Sequence, residues 1–417
     1  MYEIMDIIKK MSGKCSCGEE PYPAIEDIVI ESGTAERVGE ILIKNNFPKN
    51  LLLVADKNTL KAAEGIEKSL EGFAVTYKIY DDIRVATIDH VKELEEMIKG
   101  SEVAILSVGS GSVNDPCRLA AARQNKKHCI FATAPSMDGF ASYGSPLVDN
   151  GFKATYAAKS PEVIIGDTKI LAKAPAALKS AGFGDMVAKY VAIIDWKISS
   201  LLTDEVYCEQ VGALTKRAID ILMDMADKVT KEDEETAGKI FEALLMTGIG
   251  MSFMQNSRPA SGSEHIISHI LECVELRDNI VPNFHGEDVG VATLCMLKFY
   301  GELAEKEEIK TQKENVNWDD VYAFYGNMAD EVKALNTPDT ITDAVNPEDL
   351  KENWQKIRDI IHSVPSYEEC KAAMVKAGCK ITVDDIGKDH KLFNDCIKYS
   401  PYMRRRLTLL RLRDMII

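Results

Sequence analysis

Alternation is the feature that most restricts this chain. Up to residue 170, short apolar runs at 28–30, 51–55, 75–80, 103–108, 129–132 and 163–165 are separated by stretches at 34–45, 59–70, 88–98 and 118–124 whose apolar positions repeat with a helical period. Strand, helix and strand in repeated succession build a parallel sheet, because parallel neighbours need a long crossover that a helix supplies. Sheets of this kind take ligands beyond the carboxyl ends of their strands. After Asp167 the pattern changes. The segments 177–202, 209–229, 235–254, 264–276 and 288–306 all read as helices, rich in Met and Ala, with scarcely a strand between them. The expected architecture is an α/β dinucleotide-binding domain with a parallel sheet over residues 1–170, then an all-α domain over 171–417. The boundary falls near Ala172-Lys173-Ala174-Pro175. At 417 residues the chain exceeds what one hydrophobic core commonly supports, which agrees with two domains. The segment 311–348 carries no functional signal.

Charge and cysteine usage exclude several classes. A formal net charge of −16 opposes general nucleic-acid binding, because duplex DNA is itself a dense line of negative charge. Arg404, Arg405, Arg406, Arg411 and Arg413 are interleaved with Leu407, Leu409, Leu410 and Leu412, the pattern of an amphipathic end docked on the protein. No apolar run reaches the length of a membrane span, and residues 1–10 lack the long apolar core of a secretory leader. The expectation is a cytoplasmic protein whose ten cysteines are reduced. Cys15-Ser16-Cys17-Gly18 has the form of half a zinc knuckle, but no second cysteine pair or histidine lies near it in sequence; a loop with two free thiols is the favoured reading.

Several motifs carry chemistry. Gly109-Ser110-Gly111-Ser112-Val113 follows the strand at 103–108, and Asp115-Pro116 is expected to open the next helix, with Asp115 as its cap and Pro116 in its first turn. Glycines there let the backbone approach a pyrophosphate at a helix start. Asp56 ends a neighbouring strand; it is placed either to accept from a ribose hydroxyl or to cap the helix beginning near Thr59. The loop from Thr133 through Ala134, Pro135, Ser136 and Asp138 offers hydroxyls, amides and a carboxylate at the same rim. Further along, Asp185, His265 and His285 provide one carboxylate and two imidazoles. Three protein ligands leave a position open, as a catalytic metal requires, and this set suits zinc, nickel or ferrous iron. Asp185 is read at the start of a long helix, where favouring the helix dipole is the competing role. His265 and His269, four apart, share a helix face, either as metal-type spacing or as a core pair. A dinucleotide site beside a metal site suggests a metal-assisted alcohol dehydrogenase.

In order, Gly-Ser-Gly-Ser-x-x-Asp, Thr-Ala-Pro-Ser-Met-Asp-Gly, Gly-Asp-Thr, Gly-Phe-Gly-Asp, Ser-Arg-Pro-Ala-Ser-Gly-Ser-Glu-His-x-x-Ser-His and His-Gly-Glu resemble the sn-glycerol-1-phosphate dehydrogenases, in the superfamily of iron-containing alcohol dehydrogenases, glycerol dehydrogenases and dehydroquinate synthases. The resemblance spans roughly residues 28–306, and the chain extends beyond it as in the bacterial branch. It implies a dehydroquinate synthase-like fold and a homodimer. It implies reduction of dihydroxyacetone phosphate to sn-glycerol 1-phosphate by NAD(P)H, with Asp185, His265 and His285 as metal ligands. Asp138 and His269 become substrate contacts, which removes His269 from the ligand set. Asp56, Gly109 to Val113, Thr133 to Ser136 and Ser142 line the dinucleotide, with Ser110 standing where the family usually has Gly. A phosphorylated substrate needs a cation, for which Arg258 is the first candidate; Lys153 and Lys159 follow, with surface charge their favoured reading. The competing functions are a polyol dehydrogenase without a phosphate requirement and a non-catalytic metal- or nucleotide-binding regulator.

Overall fold

A computed structural model describes residues 4–18 and 24–417. Its strands are β1 (Asp27–Glu31), β2 (Asn50–Asp56), β3 (Ala74–Tyr80), β4 (Ala104–Gly109), β5 (His128–Ala132), β6 (Gly144–Asp149), β7 (Phe152–Ala157) and β8 (Val163–Asp167). Six form one parallel sheet in the order β1-β8-β5-β4-β2-β3. Leu53 on β2 lies opposite Tyr77 on β3 and Leu106 on β4, and Ile165 on β8 opposite Val29 and Phe131. Residues on β4, β5 and β8 are buried throughout, which explains why these strands read as continuous apolar runs.

The helices of the first part are α1 (Ile4–Met11), α2 (Val38–Lys44), α3 (Lys57–Ala62), α4 (Ile66–Ser69), α5 (Ile88–Ile98) and α6 (Gly111–Arg123). There follow α7 (Thr168–Lys173), α8 (Ala176–Val187), α9 (Lys189–Leu202), α10 (Glu209–Met223), α11 (Glu234–Met254), α12 (Ser263–Arg277) and α13 (His285–Ala304). Because side chains alternate along a strand, each central strand feeds two cores. Leu51, Leu53, Leu106, Phe131 and Ile165 pack with Val38, Leu42 and Ile66 on one face. On the other, Leu52, Val54 and Ile105 meet Val91, Leu94 and Val113, while Ile28, Ile130 and Ile164 join the helical core containing Phe241 of α11. The helical part thus completes the cover of the sheet, and one core runs through both. Beyond α13, helices such as Trp354–His362 and Tyr367–Lys376 pack on α13, and the end of the chain docks: Leu407, Leu409, Leu410 and Leu412 are buried and Arg411 pairs with Glu314 at 2.8 Å. No helix among the described residues is long and apolar enough to cross a membrane.

Four expectations need correction. The antiparallel hairpin β6–β7 was not expected; it is closed by Asn150 and Gly151, both at positive φ. The helix after β4 starts at Gly111, four residues earlier than Asp115: Ser110 is its N-cap and Pro116 lies inside it. Asp115 therefore caps nothing, and its carboxylate accepts from buried Arg118 at 2.8 Å. The helix expected over 177–202 breaks at Ala188 into α8 and α9, which places Asp185 near the carboxyl end of α8 rather than at a helix start. The dipole there disfavours an acid, so a different partner must hold it.

Candidate active site

The carboxyl ends of β2, β4, β5 and β8 form one rim carrying Asp56, Gly109, Thr133 and Asp167. Along it runs a cleft. Its outer part is lined by Gly33, Thr133, Ala134 and Asp167, its middle by Asp56, Ser110 to Val113 and Ser136, and its inner end by Arg84, Asp138, Lys153, His269, His285 and Asp288. The outer and middle parts share Asn58, Thr59, Pro175 and Leu178; the middle and inner parts share Arg84, Gly111, Ser112, Met137, Asn283 and His285. The first amides of α6 open into this wall, where the helix dipole is positive and the backbone donors lack intrahelical partners. The hydroxyls of Ser110 and Ser136 bond each other across it. Asp56 takes the capping role, Oδ1 accepting from the Thr59 amide at 2.8 Å in a capping box, and the residue also lines the cleft.

At the inner end, Asp185 on α8, His265 on α12 and His285 at the start of α13 each offer a ligand atom, all within 4.8 Å of one another. Glycines set this approach. A Cβ at Gly184 would lie 2.4 Å from the Gly286 carbonyl oxygen, and one at Gly286 would lie 1.8 Å from that of Ala181, so α8 and α13 cross backbone to backbone beside the two ligands. A Cβ at Gly182 would sit 2.0 Å from the Pro135 oxygen, which presses the Thr133–Ser136 loop on the same helix.

Burial and one buried ammonium set the charge states of these groups. Lys189, wholly buried, donates to Asp185 Oδ1 and reaches Asp138 Oδ2, both at 2.7 Å; it replaces the helix-dipole role expected for Asp185. Burial alone would raise the Asp185 carboxyl, but the Lys189 ammonium, then the hydrogen bond with His265, outweigh it and hold the group far below the carboxylate range. Burial, followed by the Lys153 ammonium, keeps His269 and His285 well below the ordinary imidazole value; both are neutral, the coordinating form. His265 Nδ1 meets Glu264 Oε1 at 2.6 Å, leaving Nε2 toward Asp185 Oδ1 at 3.3 Å, an orientation typical of metal-binding imidazoles backed by a carboxylate. His285 Nδ1 is shielded from water without a protein partner. An orphaned buried nitrogen costs free energy, and the chemistry of one carboxylate and two imidazoles fits a divalent cation. His269 stacks on His285 with ring centroids 5.6 Å apart but stands outside the three-residue cluster.

Arg258 is not placed to clamp a substrate phosphate. It is buried, and its guanidinium is used up by Glu205, Ser199 Oγ and the Leu407 carbonyl. Lys159 pairs with Glu162 away from the cleft. Ser142 likewise faces inward, its hydroxyl shared with the Gly144 backbone. Lys153, by contrast, reaches the inner cleft beside Glu272. Sequence reasoning missed Arg84, which stacks on the Phe284 ring with its guanidinium carbon 4.5 Å from the centroid and lines both inner parts of the cleft. It also missed Lys189 and Glu264; their signals were the four-residue spacing from Asp185 and adjacency to His265.

Known proteins resemble this chain in sequence and in fold. The sequence profile of the iron-containing alcohol dehydrogenases matches residues 29–175. A glycerol-1-phosphate dehydrogenase (NAD(P)+) of Methanosarcina mazei is 34% identical over 279 residues, 66% of this chain and 76% of its own. The chain belongs to the glycerol-1-phosphate dehydrogenase family. The family member of Geobacillus stearothermophilus, bearing the same name, aligns over 100% of this chain and 99% of its own at 28% identity, so the likeness includes the region after α13. The NADH-dependent butanol dehydrogenase A of Thermotoga maritima shares the fold, with a TM-score of 0.61 over 95% of this chain and 94% of that structure at 15% identity. The family is thus set within the iron-containing alcohol dehydrogenase fold, consistent with the parallel sheet and helical second part.

Proposed function

We propose that this chain is an NAD(P)H-dependent sn-glycerol-1-phosphate dehydrogenase that reduces dihydroxyacetone phosphate, with Asp185, His265 and His285 holding a divalent cation. The observation that carries the reading is the continuous cleft: a dinucleotide-sized rim at one end and two cations beside the histidine cluster at the other. When bound, the cation polarises the ketone as a Lewis acid and the reduced nicotinamide supplies hydride; zinc, nickel and ferrous iron all suit two imidazoles and a carboxylate.

The chain's own groups do the rest. The amides of Gly111 and Ser112 receive the pyrophosphate, and Asp56, with Oδ1 on Thr59, keeps its second oxygen for a ribose hydroxyl. Lys153 and Arg84 hold the substrate phosphate, which balances charge in a cleft that also contains Asp138, Glu272 and Asp288. Neutral His269, in contact with His285, is positioned to relay a proton to the product hydroxyl. Lys189 fixes Asp138 and Asp185 against each other.

The test is a cofactor-oxidation assay offering dihydroxyacetone phosphate, dihydroxyacetone and glycerol, before and after metal removal and readdition, with His285→Ala alongside. Turnover and the metal equivalent held in the cleft should be lost together in the variant while its circular dichroism is kept. Stoichiometric metal with a normal rate would end the assignment.

A further inference from the structure

The Cys15-Ser16-Cys17-Gly18 turn acquires a partner that sequence distance concealed. It is closed by the Gly18 amide donating to the Cys15 carbonyl at 3.0 Å, with Gly18 at φ +95°. The chain then brings Cys208, 193 residues further on, against it: Cys15 Sγ and Cys208 Sγ stand 3.7 Å apart, and with Cys17 all three sulfurs lie within 4.8 Å of one another. Cys15 and Cys208 are buried and Cys17 is half-buried. Cys208 is also the N-cap of α10, where the helix dipole favours an anionic sulfur.

We propose that Cys15, Cys17 and Cys208 form a second cation site, for zinc or another soft divalent ion, separate from the cluster in the cleft. A zinc–sulfur bond of about 2.3 Å in tetrahedral geometry sets sulfurs about 3.8 Å apart, close to the Cys15–Cys208 separation. A disulfide would use two of the sulfurs and strand the third, whereas a cation uses all three. Thiolates select soft metals over the magnesium and calcium that carboxylates prefer. Half-buried Cys17 leaves the fourth position open to water. The ion would staple the segment carrying α1, which packs on α11 and β1, to the start of α10.

Cobalt titration of the reduced full-length protein separates this site from the one in the cleft, because Asp185, His265 and His285 contain no sulfur. A thiolate-to-cobalt charge-transfer band should saturate at one ion per chain, yield to added Zn2+, persist in His285→Ala and disappear in Cys208→Ser. Cys17→Ser, altered at a half-exposed loop where folding is safe, should weaken cobalt binding by about tenfold or more. Absence of the band in wild-type protein, or its persistence in both cysteine variants, overturns the proposal. So does recovery of a Cys15–Cys208 disulfide from protein kept with excess Zn2+, which would make the pair a redox couple instead.

Discussion

Replacing Arg258 by methionine distinguishes a structural role from a substrate-binding one. Its Nε and Nη2 meet Glu205 Oε1 and Oε2 at 2.6 and 2.5 Å, Nη2 also meets Ser199 Oγ at 3.1 Å, and Nη1 donates to the Leu407 carbonyl at 2.8 Å. Removing the guanidinium orphans the Leu407 carbonyl in a fully buried residue, at about 1–3 kcal/mol. Breaking a fully buried ion pair costs about 3–5 kcal/mol, but Glu205 is 31% exposed and retains Ser199 as a donor, so water recovers much of that. A total of about 2–4 kcal/mol is expected. With about 2.1 cal/mol/K of unfolding entropy per residue over 417 residues, the melting temperature should fall by about 2–5 °C. Thermal unfolding at fixed pH and protein concentration measures this. In parallel, the ratio of kcat/KM for dihydroxyacetone phosphate to that for dihydroxyacetone should stay within a factor of about two, since no contact to the cleft is lost. An unchanged melting temperature together with a collapse of that ratio would refute the reasoning and return Arg258 to the phosphate.

Lys153→Met and Arg84→Met should each lower the preference for the phosphorylated ketone by about ten- to a hundredfold, from about 1.5–3 kcal/mol per charge-assisted contact; equal discrimination in both variants and wild type would place the phosphate elsewhere. Asp56→Ala should cost about 1 kcal/mol in stability through the lost cap and improve the use of NADPH relative to NADH, read from paired melts and initial rates. Asp288, pushed up from 3.8 to about 7 by burial, binds its proton more tightly when folded. That stability is full below the unfolded value near 3.8 and is lost as pH rises through about 7, up to roughly 4 kcal/mol in all. Asp288→Asn, which can still accept from Asn283, should therefore gain on wild type in melts between pH 5 and 8; a difference constant with pH counts against it.

Much of this was legible because strand burial is two-sided. β2, β4, β5 and β8 read directly as apolar runs, and Asp185, His265 and His285 announced themselves by residue type and by glycine context. The hairpin at 144–157 was missed, although Asn150-Gly151 is a strong turn signal, because Pro146 and Lys153 blur the alternation around it. The start of α6 was misjudged because Asp-Pro is a common helix opening, whereas here the extended backbone of Ser110 already turns the chain. What sequence order conceals is contact between distant segments. Nothing near Arg258 reveals that Glu205 and Leu407 will surround it, and nothing near Cys17 reveals Cys208.

The crossing of α8 and α13 makes the distance between Asp185 and His285 a property of two backbones rather than of two side chains. The pair behaves as the fixed jaw of a caliper, held by main-chain contact at Gly184 and Gly286 where no rotamer can compensate for a misfit. His265, on α12 and oriented by Glu264, completes the set from a third helix. An added methyl group at either glycine would open that gauge without altering any of the proposed ligands.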